Sequence, residues 1–126
     1  MSFATDLNTI MHNDASLNAL CYGGIHYENL PENWEINKDW IVYSFNKNSQ
    51  ESCIGSSEAF TRYTILLKIV ANDTLTLESI NDLTVNYLNG ISYGNIQDIL
   101  FTGDSHTLDL DKNIYMNTLT FDAIYA

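Results

Sequence analysis

From Phe60 to Ala71 the chain alternates without interruption: Tyr63, Ile65, Leu67 and Ile69 face one way, while Arg62, Thr64, Leu66 and Lys68 face the other. Successive side chains of a strand point to opposite faces, so this pattern requires a half-buried β-strand and a layer to cover its apolar side. A second run, Trp40-Ile41-Val42-Tyr43-Ser44-Phe45, is apolar on both alternating faces. Such a strand is either central in its sheet or covered on its second face by a neighbouring subunit. Ile25 and Tyr27 begin a shorter strand, and Ile96 to Thr102 and Ile114 to Tyr125 read as two more. The last places Tyr115, Leu119, Phe121, Ala123 and Tyr125 on one face, with Gly103 to Asn113 expected as an acidic hairpin loop.

Two stretches carry the other period. Phe3, Leu7, Ile10 and Met11 recur at helical spacing, with Ser2 placed to accept from the first free amides. Asp14 then reads as a second N-cap, and Leu17, Leu20 and Cys21 continue until Gly23-Gly24 stops the helix. Asp73 or Thr74 caps a later helix whose Leu77, Ile80, Leu83, Tyr87 and Leu88 fall on one side, and Asn89-Gly90 ends it with a left-handed C-cap. The order is helix, strand, strand, strand, helix, strand, strand. One mainly antiparallel sheet with two or three helices on one face buries every apolar stripe, so the expected class is α+β. At 126 residues a single domain spanning 1–126 is the default, and it is long enough to bury a core.

Charge narrows the function. Five Lys+Arg against sixteen Asp+Glu give a formal charge of -11, which opposes any surface built to neutralise phosphates or to sit on anionic lipid. It suits solubility, attraction to a basic protein, or a wall past which DNA slides without sticking. Nothing from Met1 to Met11 resembles a secretion signal, and no stretch approaches the roughly 18 to 20 apolar residues of a membrane span. Cys21 and Cys53 are read as ordinary reduced thiols.

Motifs that carry chemistry are scarce. Gly55-Ser56-Ser57 lacks the second glycine of a nucleophile elbow, and neither cysteine has a His or Cys within four residues, the spacing zinc would want. Asp109-Leu110-Asp111-Lys112-Asn113 begins like a calcium loop, but Ile114 and Thr120 stand where the glycine and the bidentate glutamate belong. Gly23-Gly24 lacks the Gly-Lys-Ser/Thr of a phosphate cradle. No cofactor and no catalytic residue is expected; an enzyme would need a triad assembled from distant positions, with His12, His26 or His106 beside a hydroxyl or thiol.

The polar stretch from Asn46 to Glu58 is expected as a long loop open to a partner, with Lys47, Ser49, Gln50, Glu51 and Ser52 as its contact residues. Trp40, Tyr63 and Tyr115 sit in strands and are expected in the core. Trp34, in the loop from Leu30 to Asp39 beside Glu32 and Glu35, is better suited to anchoring a partner, since an amphipathic ring is a frequent interface anchor. Its replacement by alanine is expected to spare the fold and weaken assembly.

The layout resembles that of the tail-terminator, or tail-completion, proteins of tailed bacteriophages, over nearly the whole chain. The opening helix leads into Asn13-Asp14-Ala15-Ser16-Leu17-Asn18-Ala19-Leu20, similar to the family's D-x-x-L-x-x-L turn. Gly24-Ile25-His26-Tyr27 follows, then a Pro-containing loop, then Asp39-Trp40-Ile41-Val42-Tyr43 where the family has P-Y-I-V-Y, with Asp39 replacing the proline. A long strand, an amphipathic helix and two closing strands ending in Leu119-Thr120-Phe121-Asp122-Ala123 complete the match.

The resemblance implies a structural virion protein, assembled in the bacterial cytoplasm, that forms a homo-oligomeric, generally hexameric ring at the head-proximal end of the tail tube. Its partners would be further copies of itself, the tail tube protein and a neck or head-tail connector protein. DNA would pass through without specific binding, and no membrane would be involved. Trp34, Trp40, Tyr43, Arg62 and Lys68 are the expected subunit-contact residues, and Asp104, Asp109 and Asp111 the expected acidic lining of the lumen. Other neck or head-completion proteins share this size and layout. A small acidic inhibitor or DNA mimic is the rival of another class, although the carboxylates at Asp14, Glu32, Glu35, Asp73, Asp104 and Asp109 are scattered through caps and loops.

Overall fold

The computed structural model describes residues 2–13, 24–27, 39–52, 59–71, 73–109 and 114–126. Its elements are helix α1 (Phe3–Asn13), strands β1 (Gly24–Tyr27), β2 (Trp40–Ser52) and β3 (Ala59–Ala71), helix α2 (Thr74–Leu88), and strands β4 (Ile96–Asp109) and β5 (Ile114–Tyr125). The five strands form one sheet in the order β1-β2-β3-β5-β4. β1 runs parallel to β2, and every other pair is antiparallel. The class is therefore α+β, with a mixed, mostly antiparallel sheet and two helices packed against it.

The odd-numbered side chains of the central strands face the helices. Ile41 and Tyr43 of β2, Ile65, Leu67 and Ile69 of β3, and Leu119, Phe121 and Ala123 of β5 join Phe3, Leu7, Ile10 and Met11 of α1 and Leu77, Ile80 and Leu88 of α2 in one core. Each such burial contributes on the order of 1.5–3 kcal/mol, which is why the alternation could be read from sequence. Aromatic rings floor the N-terminal end of α1: Phe3 stacks on Tyr63 with centroids 3.9 Å apart, and meets Phe45 and Tyr125 edge-on.

Both helices start as local chemistry dictates. Ser2 Oγ accepts from the Thr5 amide at 3.2 Å, and Asp73 Oδ1 accepts from the Thr76 amide at 2.8 Å. Gly90 follows α2 with φ +85, the left-handed residue expected there, but its amide donates to the Ile99 carbonyl of β4 at 2.6 Å instead of closing back on the helix. The helix end is thereby tied to the sheet.

Two expectations are corrected. Lys47, Ser49, Gln50, Glu51 and Ser52 lie in β2, not in a loop: pairing with β3 continues to Ser52 opposite Ala59, past a bulge between Lys47 and Ser49. Asp104 and Asp109 lie in β4, opposite Leu119 and Ile114 of β5, so the acidic loop is far shorter than Gly103 to Asn113. Both hairpins lengthen for one reason. Main-chain hydrogen bonds propagate between antiparallel strands whatever the side chains are, whereas the hydrophobic pattern reports only the part of a strand that crosses the core. The expected second helical turn from Asp14 to Cys21, the loop around Pro31 and Trp34, Cys53 and Asp111 lie outside the described residues.

Candidate assembly surface

Both helices use one face of the sheet, so the character of the other face follows from the even-numbered positions. Across it run Val42, Lys68 and Thr118 in one register row, and Ser44, Leu66 and Thr120 in the next. Asn46, Thr64, Asp122 and Leu100 form a third row, and Arg62 and Ile124 lie beyond. Val42, Ser44, Leu66, Thr118, Thr120 and Ile124 are half-buried, Lys68 and Arg62 are exposed, and Leu100 is 49% exposed. One end of this face is closed by a small separate cluster, in which Trp40 and Val70 are buried against Met116, with the His26 ring 5.0 Å from the Trp40 ring.

An antiparallel sheet tolerates water on one face when that face is polar. Here hydroxyls, apolar side chains and charged groups of both signs are interleaved. Lys47, Arg62 and Lys68 are the lysines and arginines among the described residues, and two of the three stand on this face of a chain whose formal charge is -11. Asp122, exposed in the Thr64 row, and Asp98, opposite Ile124, balance these two cations, so the face is a broad, shallow surface with charges of both signs and without the strong negative excess of the whole chain.

The expected contact residues divide accordingly. Trp40 and Tyr43 are buried, at 5% and 2% exposure, so their side chains are occupied by the chain's own packing. Arg62 and Lys68 are accessible on the open face, and Lys47 is exposed on β2. Trp34 lies outside the described residues. Asp104 is exposed on edge strand β4, Asp109 is at that strand's end, and Asp111 lies outside the described residues.

On the helical side, Ala4, Thr5, Asn8, Tyr27 and Tyr43 line a shallow groove of about 280 Å³. The Tyr43 hydroxyl donates to Asn8 Oδ1 at 2.8 Å; burial, and secondarily Tyr27, hold its ionisation above the usual tyrosine range. The His12 ring nitrogens lie 2.9 Å from the Asn8 carbonyl oxygen and 3.2 Å from that of Ile25, bridging α1 to β1. Among the described residues no three His, Cys, Asp or Glu side chains gather where they could hold a metal ion, and no helix is long and apolar enough to cross a membrane.

Sequence reasoning missed three buried polar residues: Asp6, Asn117 and Thr84, whose hydroxyl donates to the Ile80 carbonyl at 2.6 Å. Asp6 is 1% exposed and its Oδ2 accepts from the Asn95 amide at 3.3 Å. Asn117 is fully buried and its Nδ2 donates to Asn81 Oδ1 of α2. The signal available for Asp6 was its spacing, since it stands three residues from Phe3 and four from Ile10, on the apolar stripe of α1.

No protein-family model matches the sequence, and neither does any curated protein. Among solved structures, a chain in the virion of the native gene transfer agent (GTA) particle is similar in fold. The TM-score is 0.77 at 14% sequence identity, over 98% of this chain and 94% of that one. What is common to the two at this identity is the fold.

Proposed function

We propose that this chain is a structural protein of a phage-like virion, and that it acts as a ring subunit at the head-proximal end of the tail tube. There it would end tube polymerisation and join tail to neck. The observation that carries the reading is the likeness in fold, over nearly the whole of both chains, to a chain of an assembled virion. The mixed open face of the sheet supports it, because a surface with half-buried Leu66 and Ile124 beside exposed Lys68 and Leu100 suits protein contact better than bulk water. The acidity of the chain suits a lumen along which DNA slides, since like charges repel. Exposed Asp104 is assigned to that lining, together with Asp109 and Asp111.

The acidic-inhibitor reading has less support. A DNA mimic needs free carboxylates in rows, whereas Asp6 is buried under the Asn95 amide and Asp73 is engaged in capping α2.

The test is to polymerise the cognate tail tube protein with and without this chain, and to measure tube length and end occupancy by electron microscopy. Tubes of bounded length, each with extra density at one end, are expected. Tubes that grow unchecked and carry no cap at a saturating excess of the chain would exclude the terminator role, and binding to the neck instead would favour another head-completion position.

A further inference from the structure

We propose that the open face of the sheet receives helix α2 of a second copy, with Lys68 set against Glu78 and Asp82 and with Leu75 lodged beside Leu66. The contact deepens the ring reading and rests on it. Its two halves meet through one cluster of opposite charges at Lys68 and one apolar contact at Leu66.

The outer stripe of α2 consists of Leu75, Glu78, Ser79, Asp82 and Asn86, all exposed and spaced to lie on one side of the helix. Leu75 is 75% exposed, more than any other large hydrophobic residue described. Glu78 and Asp82 are a like-charged i, i+4 pair, an arrangement that destabilises a helix by a few tenths of a kcal/mol unless a cation is brought to it. The partner face supplies one. Lys68 stands exposed in the middle of central strand β3, between Val42 and Thr118, and among the described residues no acidic group pairs with it.

Lys68 and Leu66 are two residues apart on a strand, about 6.6 Å, and Glu78 and Leu75 are three apart on a helix, about 4.5 Å, a difference that the long Lys68 side chain can span. With Glu78 over Lys68, the start of α2 at Thr74 lies about 6 Å away, over Leu66 and well short of Arg62. Because α2 and the open face lie on opposite sides of the same subunit, the contact is head-to-tail. Such contacts generate closed rings when the rotation per step closes, whereas self-complementary patches stop at dimers.

The experiment is native mass spectrometry and sedimentation of the full chain across concentration at low and high salt, with charge-reversal variants. Lys68→Glu and Glu78→Lys are each expected to weaken association about tenfold or more, and the combined variant to recover most of it, with larger effects at low salt. Leu75→Ser should weaken association while leaving the thermal midpoint unchanged at dilutions where both proteins are monomeric, since the side chain is exposed in the monomer.

A wild-type oligomer indifferent to both reversals, or losses that add in the combined variant instead of cancelling, would overturn this contact while leaving the ring reading to the tube experiment. A chain that stays monomeric throughout would overturn it too, and tube capping would still be judged separately by microscopy.

Discussion

The hydroxyl of Tyr87 in α2 donates a 2.7 Å hydrogen bond to the carbonyl oxygen of Ile10 in α1. Ile10 lies among the last four residues of α1, whose carbonyls have no acceptor role inside a helix that ends at Asn13. Tyr87 thus satisfies a helix terminus from 77 residues away and joins the two helices over the sheet. Tyr87→Phe keeps the ring and removes the donor, so it is expected to cost about 1 kcal/mol. Urea denaturation of the variant beside wild type measures it, and equal midpoints would show that the bond is absent in solution.

Leu67 is fully buried beneath both helices, in the strand whose alternation defines the fold. Leu67→Ala removes packed methyl groups where the sheet cannot collapse to refill the space. A loss of about 2–5 kcal/mol is expected. A loss well under 1 kcal/mol, read by the same denaturation, would contradict the placement of Leu67 in the core.

Gly94 and Gly90 both have positive φ, +57 and +85, but their surroundings differ. A β-carbon at Gly94 would stand 2.7 Å from Asp6 Oδ2, whereas one at Gly90 would meet nothing within 4 Å. Gly90→Ala is expected to cost about 1–2 kcal/mol for the left-handed backbone alone. Gly94→Ala must also displace the buried carboxylate and should cost distinctly more. Thermal midpoints in the reverse order would mean that α1 does not pack on the turn preceding β4.

Tyr43 yields a prediction in pH. Burial favours the neutral phenol, so the folded chain holds this proton more tightly than the unfolded one does. The resulting stability is complete below the ordinary tyrosine value of about 10, and it is lost as pH rises from there through the higher folded value. Tyr43→Phe should therefore lie below wild type in stability at neutral pH, through the lost bond to Asn8, and should flatten the decline above pH about 10. Parallel slopes for the two proteins in that alkaline window would refute the assignment.

Phe3, Leu7, Ile10 and Met11, the alternation from Tyr63 to Ile69, the N-caps at Ser2 and Asp73, and the left-handed backbone of Gly90 all follow from their spacing. Each depends on neighbours within a turn or on the period of one strand, and so is written locally in the chain. The parallel pairing of β1 with β2, the extension of the two hairpins through Ser52 and Asp109, and the burial of Asp6 and Asn117 are not of that kind. They depend on which backbone lies alongside and on what covers a side chain, and a polar residue has the same spacing whether it ends in water or under the Asn95 amide.

The candidate surface divides in the same way. Alternation placed Arg62 and Lys68 on the second face of β3, but only the tertiary structure decided that both helices take the first face and leave the second open. It also decided that Trp40 and Tyr43 are consumed by internal packing. The physical reason is that hydrophobic period fixes the direction of a side chain relative to its own strand, while exposure depends on the layers that fold over it.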